Sequence, residues 1–202
     1  MAQKGFVIWM TGLPSAGKST LAQHVASAIE SRGLPTECID SGALRKTLLD
    51  NTLGFTKPER DANCRRNAFA ARVLARNGVV AIVSAVSPHK ATRDAIRAEL
   101  DAFVEVHVST PKAVCIDRDD NGMWAKALAG EIRGFTGVDD PYEAPDAPEI
   151  AVDTSELSVE EASRKVLITL ESLGHLSRNA TTPITSEEED IRNRLRSLGY
   201  VD

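Results

Sequence analysis

One nine-residue stretch, GLPSAGKST at 12–20, restricts the fold of this chain more than any other feature. It matches the pattern G-x-x-x-x-G-K-S/T, and it follows the apolar run FVIWMT and opens a helical pattern, as that motif requires. Such a loop wraps backbone amides around a β-phosphate, while its lysine reaches the β/γ oxygens and its hydroxyl ligates magnesium. The chain is therefore predicted to bind ATP or GTP with Mg²⁺. The loop residues expected to contact the nucleotide are Gly12, Ser15, Ala16, Gly17, Lys18, Ser19 and Thr20.

Short apolar segments alternate with longer helical patterns along the rest of the chain. The strand candidates are residues 6–11, 36–40, 79–86, 103–108 and 149–153. Most are apolar almost throughout, as in strands covered on both faces, and their alternation with helices indicates βαβ units. We therefore predict an α/β protein with the three layers of the P-loop NTPase fold and a mainly parallel central sheet.

Helix starts are also marked in the sequence. Thr56 with Glu59 and Ser158 with Glu161 have the spacing of capping boxes. The pair Ser87-Pro88 predicts an N-cap followed by proline at the first helical position.

Two segments interrupt this alternation. Residues 119–147 are rich in Gly, Asp and Pro and are too long for an ordinary connection, so we predict a lid or binding loop. Residues 175–186 are predicted to be a linker, and the charged segment after them begins with the capping pair Ser186 and Glu189.

We accordingly divide the chain into a domain at 1–174 and a tail at 175–202. The tail is either a solvated helix or a docking segment for a protein partner.

Composition excludes several classes of function. The net charge of the 202-residue chain is -5, so it has no general basic field for nucleic acid. No segment approaches the roughly 18 apolar residues that a membrane span needs. Cys38, Cys64 and Cys115 lie far apart, which is typical of reduced thiols and predicts a cytoplasmic location. The N-terminal apolar run is predicted to be a buried strand and not a signal peptide.

The rest of the sequence favours a small-molecule kinase over other nucleotide-binding proteins. The D-x-x-G and N-K-x-D motifs of GTPases are absent, and VVAIVSAVSP ends in serines where a motor ATPase has an acid. Cations are concentrated between residues 45 and 66, beside one aromatic ring. A solvated helix face explains any one of these arginines, but together they predict an anionic substrate that carries a ring. The residues are Arg45, Arg60, Arg65 and Arg66, with Asn63 and Phe55.

Over about residues 5–174 the chain resembles the adenylylsulfate kinases, which phosphorylate the ribose 3′-hydroxyl of adenosine 5′-phosphosulfate (APS). The motifs that carry the resemblance are IWMTGLPSAGKST, LGFTKPERDANCRR, VSAVSPHKATRDAIR and AGEIRGFTGVDDPYEAPDAPEI. The resemblance implies ATP and Mg²⁺ as cofactors, APS as the small-molecule substrate, and a homodimer.

The resemblance also implies roles for individual residues. Phe55 would stack on the APS adenine, and Arg45, Arg60 and Asn63 would hold its phosphosulfate and ribose. Ile132, Gly134 and Phe135 would line the lid side of the same pocket. Lys126 would be the lid cation near the phosphates, and Arg118 would lie near the ATP base. Ser87 aligns with a serine that is described in the family as a phosphorylated intermediate, although its predicted N-cap position already gives it a structural role.

The departures from the family pattern lie in the catalytic region. The family reads Asp-Gly-Asp-Asn where this chain has Asp40-Ser41-Gly42-Ala43, so the second carboxylate is missing. Asp40 would then be the only carboxylate at this strand end, serving Mg²⁺ and the attacking hydroxyl. The lid has Ala125 and Leu128 where the family usually has Lys and Arg. We expect a slow APS kinase, and two alternatives stay open: a kinase for another acceptor, or a nucleotide-binding regulatory domain with little catalysis.

Overall fold

A parallel sheet lies at the centre of the protein. Within residues 4–48, 54–177 and 186–201, which the computed structural model describes, its five strands lie in the order β2-β3-β1-β4-β5. Every neighbouring pair is parallel. All the predicted strands are confirmed, and so is the α/β class. The strands are β1 (Val7–Thr11), β2 (Thr36–Asp40), β3 (Val80–Ser84), β4 (Phe103–Val108) and β5 (Ile150–Val152).

Helices cover both faces of the sheet. The helices are α1 (Lys18–Glu30), α2 (Ser41–Leu48), α3 (Lys57–Arg76), α4 (Lys90–Glu99), α5 (Lys112–Asp117), α6 (Met123–Leu128), α7 (Val159–Ser172) and α8 (Ser186–Ser197). Along β1, Ile8 and Met10 pack in the cluster with α1 and α7, whereas Val7 and Trp9 pack in the cluster with α3 and α4. This alternation follows from the two-residue period of a strand, and it produces the predicted three layers.

Two of the predicted helix starts are confirmed. The Glu161 amide donates to Ser158 Oγ at 3.2 Å, and the Ser158 amide donates to Glu161 Oε2 at 2.8 Å. At α3 the Thr56 amide donates to Glu59 Oε2 at 3.0 Å. Both helices therefore begin in capping boxes.

The predicted N-cap at Ser87 is wrong. Helix α4 begins at Lys90, and His89 occupies its N-cap position. Ser87 has a left-handed backbone with φ of 44°, and its hydroxyl accepts a hydrogen bond from Trp9 Nε1 at 3.1 Å. The hydroxyl therefore faces the sheet and its packed core, and it does not cap the helix amides.

The tail contains the predicted helical stretch as a helix that begins at Ser186. This helix, α8, packs against α7, its Leu195 side chain is fully buried, and the Tyr200 hydroxyl donates to the Ala147 carbonyl at 2.7 Å. Residues 178–185 of the predicted linker lie outside the described residues, and the domain boundary at 174 stays a prediction. Of the helices in the described ranges, none has the length and apolarity needed to cross a bilayer.

Candidate active site

The phosphate-binding loop connects β1 to α1 and depends on its glycines. Gly17, immediately before α1, has φ of 92°, a conformation that favours glycine. A Cβ atom at Gly12 would lie 2.4 Å from the carbonyl oxygen of Val108 on β4, so a side chain there would displace backbone. The fixed glycine positions of the sequence motif thus correspond to steric requirements of the fold.

Side chains from distant parts of the chain hold the loop from behind. Thr110 Oγ1 and Thr154 Oγ1 donate to the Ala16 carbonyl at 3.0 and 3.1 Å, and Trp124 Nε1 donates to the Pro14 carbonyl at 3.3 Å. We did not predict Thr110 or Thr154 from the sequence. Their position just after β4 and β5, at the carboxyl edge of the sheet, is the signal that points to them.

Lys18 is buried beneath this loop. Its Nζ donates to the carbonyls of Gly12 at 3.0 Å and Leu13 at 2.7 Å. Burial lowers the pKa of Lys18 from 10.5 to about 8, although the nearby Cys115 and Asp40 act in the opposite direction. The ammonium group therefore satisfies its hydrogen bonds with loop carbonyls, at the place where the motif requires a cation for phosphate oxygens.

Asp40, at the end of β2, forms a cluster of oxygen atoms with two serines. Ser19 Oγ donates to Asp40 Oδ2 at 2.5 Å, and Ser84 Oγ donates to the same atom at 3.3 Å. Asp40 and Ser84 are register partners on adjacent strands, which explains their proximity. Burial alone would raise the pKa of Asp40, but hydrogen bonds from Ser19, the Ala43 and Gly42 amides and Ser84 hold it below its ordinary value.

This cluster fits magnesium. Mg²⁺ is held by oxygen ligands, commonly one or two carboxylates with substrate phosphates and water. Asp40 and Ser19 supply a carboxylate and a hydroxyl beside the phosphate loop. In the described ranges, no group of three or more His, Cys, Asp or Glu side chains forms a separate metal site. The donor set therefore suits an ion that arrives with nucleotide phosphates.

A cavity of about 680 Å³ opens beside the phosphate loop. Arg118 lines it and is held in place, since its Nη1 and Nη2 atoms donate to Thr154 Oγ1 at 2.6 Å and to the Thr154 carbonyl at 2.8 Å. We call it the donor cavity. Its lining residues are Ser15, Ala16, Gly17, Lys18, Ser19, Thr20, Leu21, Arg118, Asp120, Asn121, Thr154, Leu157, Ser158, Val159 and Ala162.

A second cavity, of about 240 Å³, lies beyond Asp40 and is called the acceptor cavity. Lys18 and Ser19 line both cavities, so the two meet at the phosphate loop. The acceptor cavity brings together most of the residues expected to bind the substrate. Its lining residues are Lys18, Ser19, Asp40, Ser41, Gly42, Arg45, Phe55, Arg60, Asn63, Cys64, Ser84, Ala85, Val86, Ser87 and Pro88.

An aromatic ring and two arginines form one side of the acceptor cavity. Phe55 is 49% exposed, and the guanidinium of Arg45 lies 3.9 Å from its ring centroid. Arg60 donates from Nε to the Phe55 carbonyl at 2.8 Å and from Nη2 to the carbonyl of Gly134 in the predicted lid. The lid is thus connected to the acceptor cavity through Arg60.

Other predicted lid residues lie elsewhere. In the described part of the chain, Lys126, Ile132 and Phe135 do not line either cavity. Lys126 is exposed on α6, and Phe135 is buried with its ring against Trp124 at a centroid distance of 5.0 Å. Their ligand roles stay predictions.

A largely buried network of charges supports the wall that contains Ser87. Arg93 donates to the Ser87 carbonyl at 2.6 Å and to Glu105 Oε1 at 2.8 Å. Arg97 then joins Glu105 to Glu149. Arg93 is 1% exposed. We did not predict this network, because nothing in the sequence shows which of many charged residues are buried.

The parallel sheet, the phosphate loop and the two adjoining cavities define a P-loop kinase with a donor side and an acceptor side. A family profile described as adenylylsulphate kinase matches residues 4–153. The adenylyl-sulfate kinase of Synechococcus sp. (strain JA-3-3Ab) is 45% identical over 176 residues, which are 87% of this chain and 99% of that protein. The chain belongs to the adenylylsulfate kinase family.

Two further relatives extend this comparison. A probable bifunctional SAT/APS kinase 2 of Sorangium cellulosum (strain So ce56) is 46% identical over 182 residues, which are 90% of this chain but 31% of that longer protein. The solved structure of the Mycobacterium tuberculosis APS kinase CysC in complex with AMPPNP and APS matches with a TM-score of 0.79 and 36% identity. That match covers 84% of this chain and 99% of the other.

Proposed function

We propose that the protein transfers the γ-phosphoryl group of ATP to the 3′-hydroxyl of APS, giving 3′-phosphoadenylylsulfate. The observation that carries this proposal is the meeting of the donor and acceptor cavities at Lys18 and Ser19. A phosphoryl group held by the loop would face an acceptor placed between Asp40 and Phe55. The family membership and the relative solved with AMPPNP and APS support this choice of substrates.

The donor side binds and orients the triphosphate. Loop amides and the N-terminus of α1 supply hydrogen bonds and positive potential to the phosphates. Lys18 exchanges its bonds to the Gly12 and Leu13 carbonyls for bonds to phosphate oxygens. Ser19 and Asp40 would hold Mg²⁺, which neutralises developing charge on the phosphates when it is bound. Arg118, which lines the donor cavity, would contact the nucleotide outside the loop.

Asp40 acts mainly as a fixed negative charge. Its pKa is held low by hydrogen bonds, so the carboxylate is a poor proton acceptor at neutral pH. Phosphoryl transfer passes through a loose transition state in which positioning and charge neutralisation matter most. One carboxylate at this strand end is therefore enough for turnover, at a reduced rate.

The acceptor side orients APS. Phe55 supplies a ring face for adenine, and Arg45, Arg60 and Asn63 supply donors for phosphosulfate and ribose oxygens. Ser87 shapes the wall of the cavity: its hydroxyl is bonded to Trp9 and its carbonyl to Arg93. In this proposal the lid would bring Lys126 towards the phosphates and Ile132, Gly134 and Phe135 towards the acceptor. Of these residues, Gly134 already accepts a hydrogen bond from the cavity residue Arg60.

A product assay tests the function. Purified protein is incubated with ATP, Mg²⁺ and, in separate reactions, APS, AMP, adenosine or gluconate, and products are identified by mass spectrometry. We expect phosphorylated APS. Phosphorylation of another acceptor in place of APS would identify a related kinase, and nucleotide binding without any product would identify a regulatory domain.

We further propose a homodimer, a cytoplasmic location and a protein partner for residues 175–202. A related structure described as a hexameric APS kinase supports self-association in general. Light scattering of the purified protein measures the oligomeric state directly.

A further inference from the structure

A cluster of uncharged polar side chains lies under the acceptor cavity, where α2 meets α3. Ser41 is the first residue of α2, and its Oγ lies 2.9 Å from Asn63 Nδ2 and 2.7 Å from Asn67 Nδ2. Asn67 is fully buried, and Asn63 and Ser41 are each 9% exposed. Ser41 and Asn63 line the acceptor cavity, while Asn67 stands behind them. The cluster therefore joins a cavity surface to the protein interior.

The hydrogen-bonding capacity of a hydroxyl group limits how this cluster is wired. A serine hydroxyl has two acceptor positions and one proton to donate. The amide groups of Asn63 and Asn67 occupy both acceptor positions of Ser41. The Ser41 proton is then left to donate elsewhere, and the cavity that Ser41 lines is the open direction.

The carbonyl oxygen of the Asn63 amide also indicates a ligand in this cavity. Neither Asn63 Oδ1 nor Asn67 Oδ1 has a hydrogen-bond partner among the described residues, and both atoms are buried. An unsatisfied buried polar atom costs about 1–3 kcal/mol, so such atoms call for an explanation. Asn63 lines the cavity, and an acceptor bound there brings hydroxyl groups that can satisfy its oxygen.

We propose that Ser41 is a substrate-contacting residue that donates its hydroxyl proton to an anionic oxygen of the acceptor, and that Asn67 is a positioning residue that orients this hydroxyl. The proposal rests on the proposed function for the identity of the acceptor. It adds a neutral hydrogen-bond donor one residue from Asp40, at the position of the family pattern where glycine stands.

Substitutions at both positions test this arrangement. In Ser41→Ala we expect KM for APS to rise about 10- to 100-fold, as for loss of a hydrogen bond to a charged group, with KM for ATP unchanged. Asn67→Leu should produce a rise of the same kind. The KM of the double variant for APS should be no higher than that of the more affected single variant, because both substitutions remove the same interaction.

Three controls keep the test specific. Ser41→Thr retains a hydroxyl and should restore a KM near that of the wild type. Asn77→Ala removes an asparagine at the far end of α3, where its Nδ2 donates to the Val73 carbonyl, and should leave both KM values unchanged. Thermal melting of every variant separates loss of fold from loss of binding, and calorimetry with APS gives an affinity that does not depend on turnover.

The outcomes separate this proposal from the proposed function. Wild-type protein that neither binds nor phosphorylates APS would overturn the function itself. Wild-type activity combined with an unchanged APS affinity in Ser41→Ala would overturn only the role of Ser41. A raised KM in Ser41→Ala but not in Asn67→Leu would overturn the positioning role.

Discussion

The donor and acceptor sides of the active site are built in different ways. The donor side is mainly backbone from one stretch, Gly12 to Thr20, whose shape is set by glycines and by hydrogen bonds to Ala16. The acceptor side consists mainly of side chains from the end of β2, from α2 and α3, and from the β3–α4 connection. In a loop shaped by glycines, most substitutions would distort the backbone that binds the phosphates. In a site built from side chains, each substitution changes one contact with the ligand. The departures from the family pattern at Ser41 and Gly42 accordingly lie on the acceptor side.

Removing the charge of Asp40 should have the largest effect on turnover. Its carboxylate accepts a hydrogen bond from Ser19 of the phosphate loop and also lines the acceptor cavity. In Asp40→Asn, turnover should fall by about 10³-fold, the upper part of the range typical of losing one preorganised group that stabilises transition-state charge. Steady-state rates with saturating ATP and APS measure it. Asp101→Asn, at the opposite end of the sheet, is the control. Full activity of Asp40→Asn would mean that another group holds the metal and the attacking hydroxyl.

Lys18→Ala should disable the donor side while leaving the fold intact. Loss of one preorganised donor to transition-state charge typically lowers kcat by about 10²–10³-fold. Rates and melting temperatures are compared with those of Lys165→Ala on α7. An undiminished rate in Lys18→Ala would contradict the assignment of the phosphate loop.

Phe55→Ala tests the acceptor side alone. If the ring stacks on adenine, its loss should weaken APS binding by about 1–3 kcal/mol. Phe69→Ala is a matched control, since Phe69 is 60% exposed and also has an arginine, Arg72, near its ring. Calorimetry with APS should show weaker binding only in Phe55→Ala. Equal affinity in the two variants would favour a different acceptor.

The affinity of the donor side for nucleotide should also depend on pH, because Lys18 loses its proton at high pH. Below pH 8 its ammonium is charged both in the free protein and with phosphates bound, so its contribution to affinity is constant. Bound phosphates raise its pKa, whereas burial in the free protein lowers it to about 8. Above pH 8, affinity for Mg²⁺ with AMPPNP should therefore fall, by at most about tenfold per pH unit. Lys18→Arg keeps its charge and should abolish this slope, and a slope that persists in the variant would assign it to another group.

The smallest effect is expected from restoring a second carboxylate. Gly42 lies in α2 and has no left-handed φ, so aspartate there meets no backbone strain. Its Cβ would lie 3.2 Å from Asp40 Oδ1, so the variant requires a shift of a few tenths of an ångström in a carboxylate oxygen that accepts from the Ala43 amide at 2.9 Å. We expect Gly42→Asp to raise kcat on APS by up to about tenfold, or 1.4 kcal/mol. A lower rate would show that the acceptor side is adapted to a neutral residue here.

The contrast between the two sides also explains which parts of the fold and the site the sequence predicts. The phosphate loop and the strands are local patterns, and they are confirmed. The Ser41, Asn63 and Asn67 cluster depends on how α2 meets α3, and the pairing of Asp40 with Ser84 depends on strand register, which local patterns do not specify. The Ser-Pro pair predicts a cap at Ser87, but such a pair looks the same in sequence whether its hydroxyl faces a helix or Trp9.

The network of buried Arg93, Glu105 and Glu149 with half-buried Arg97 bears on how sequences of this kind diverge. Removing one member of a buried ion pair costs about 3–5 kcal/mol, while replacing the whole set with packed apolar residues is often neutral. Intermediates in such a replacement are thus less stable than either end point. The four positions are expected to covary among homologous sequences, and a chain that has lost Arg93 should also have lost Glu105.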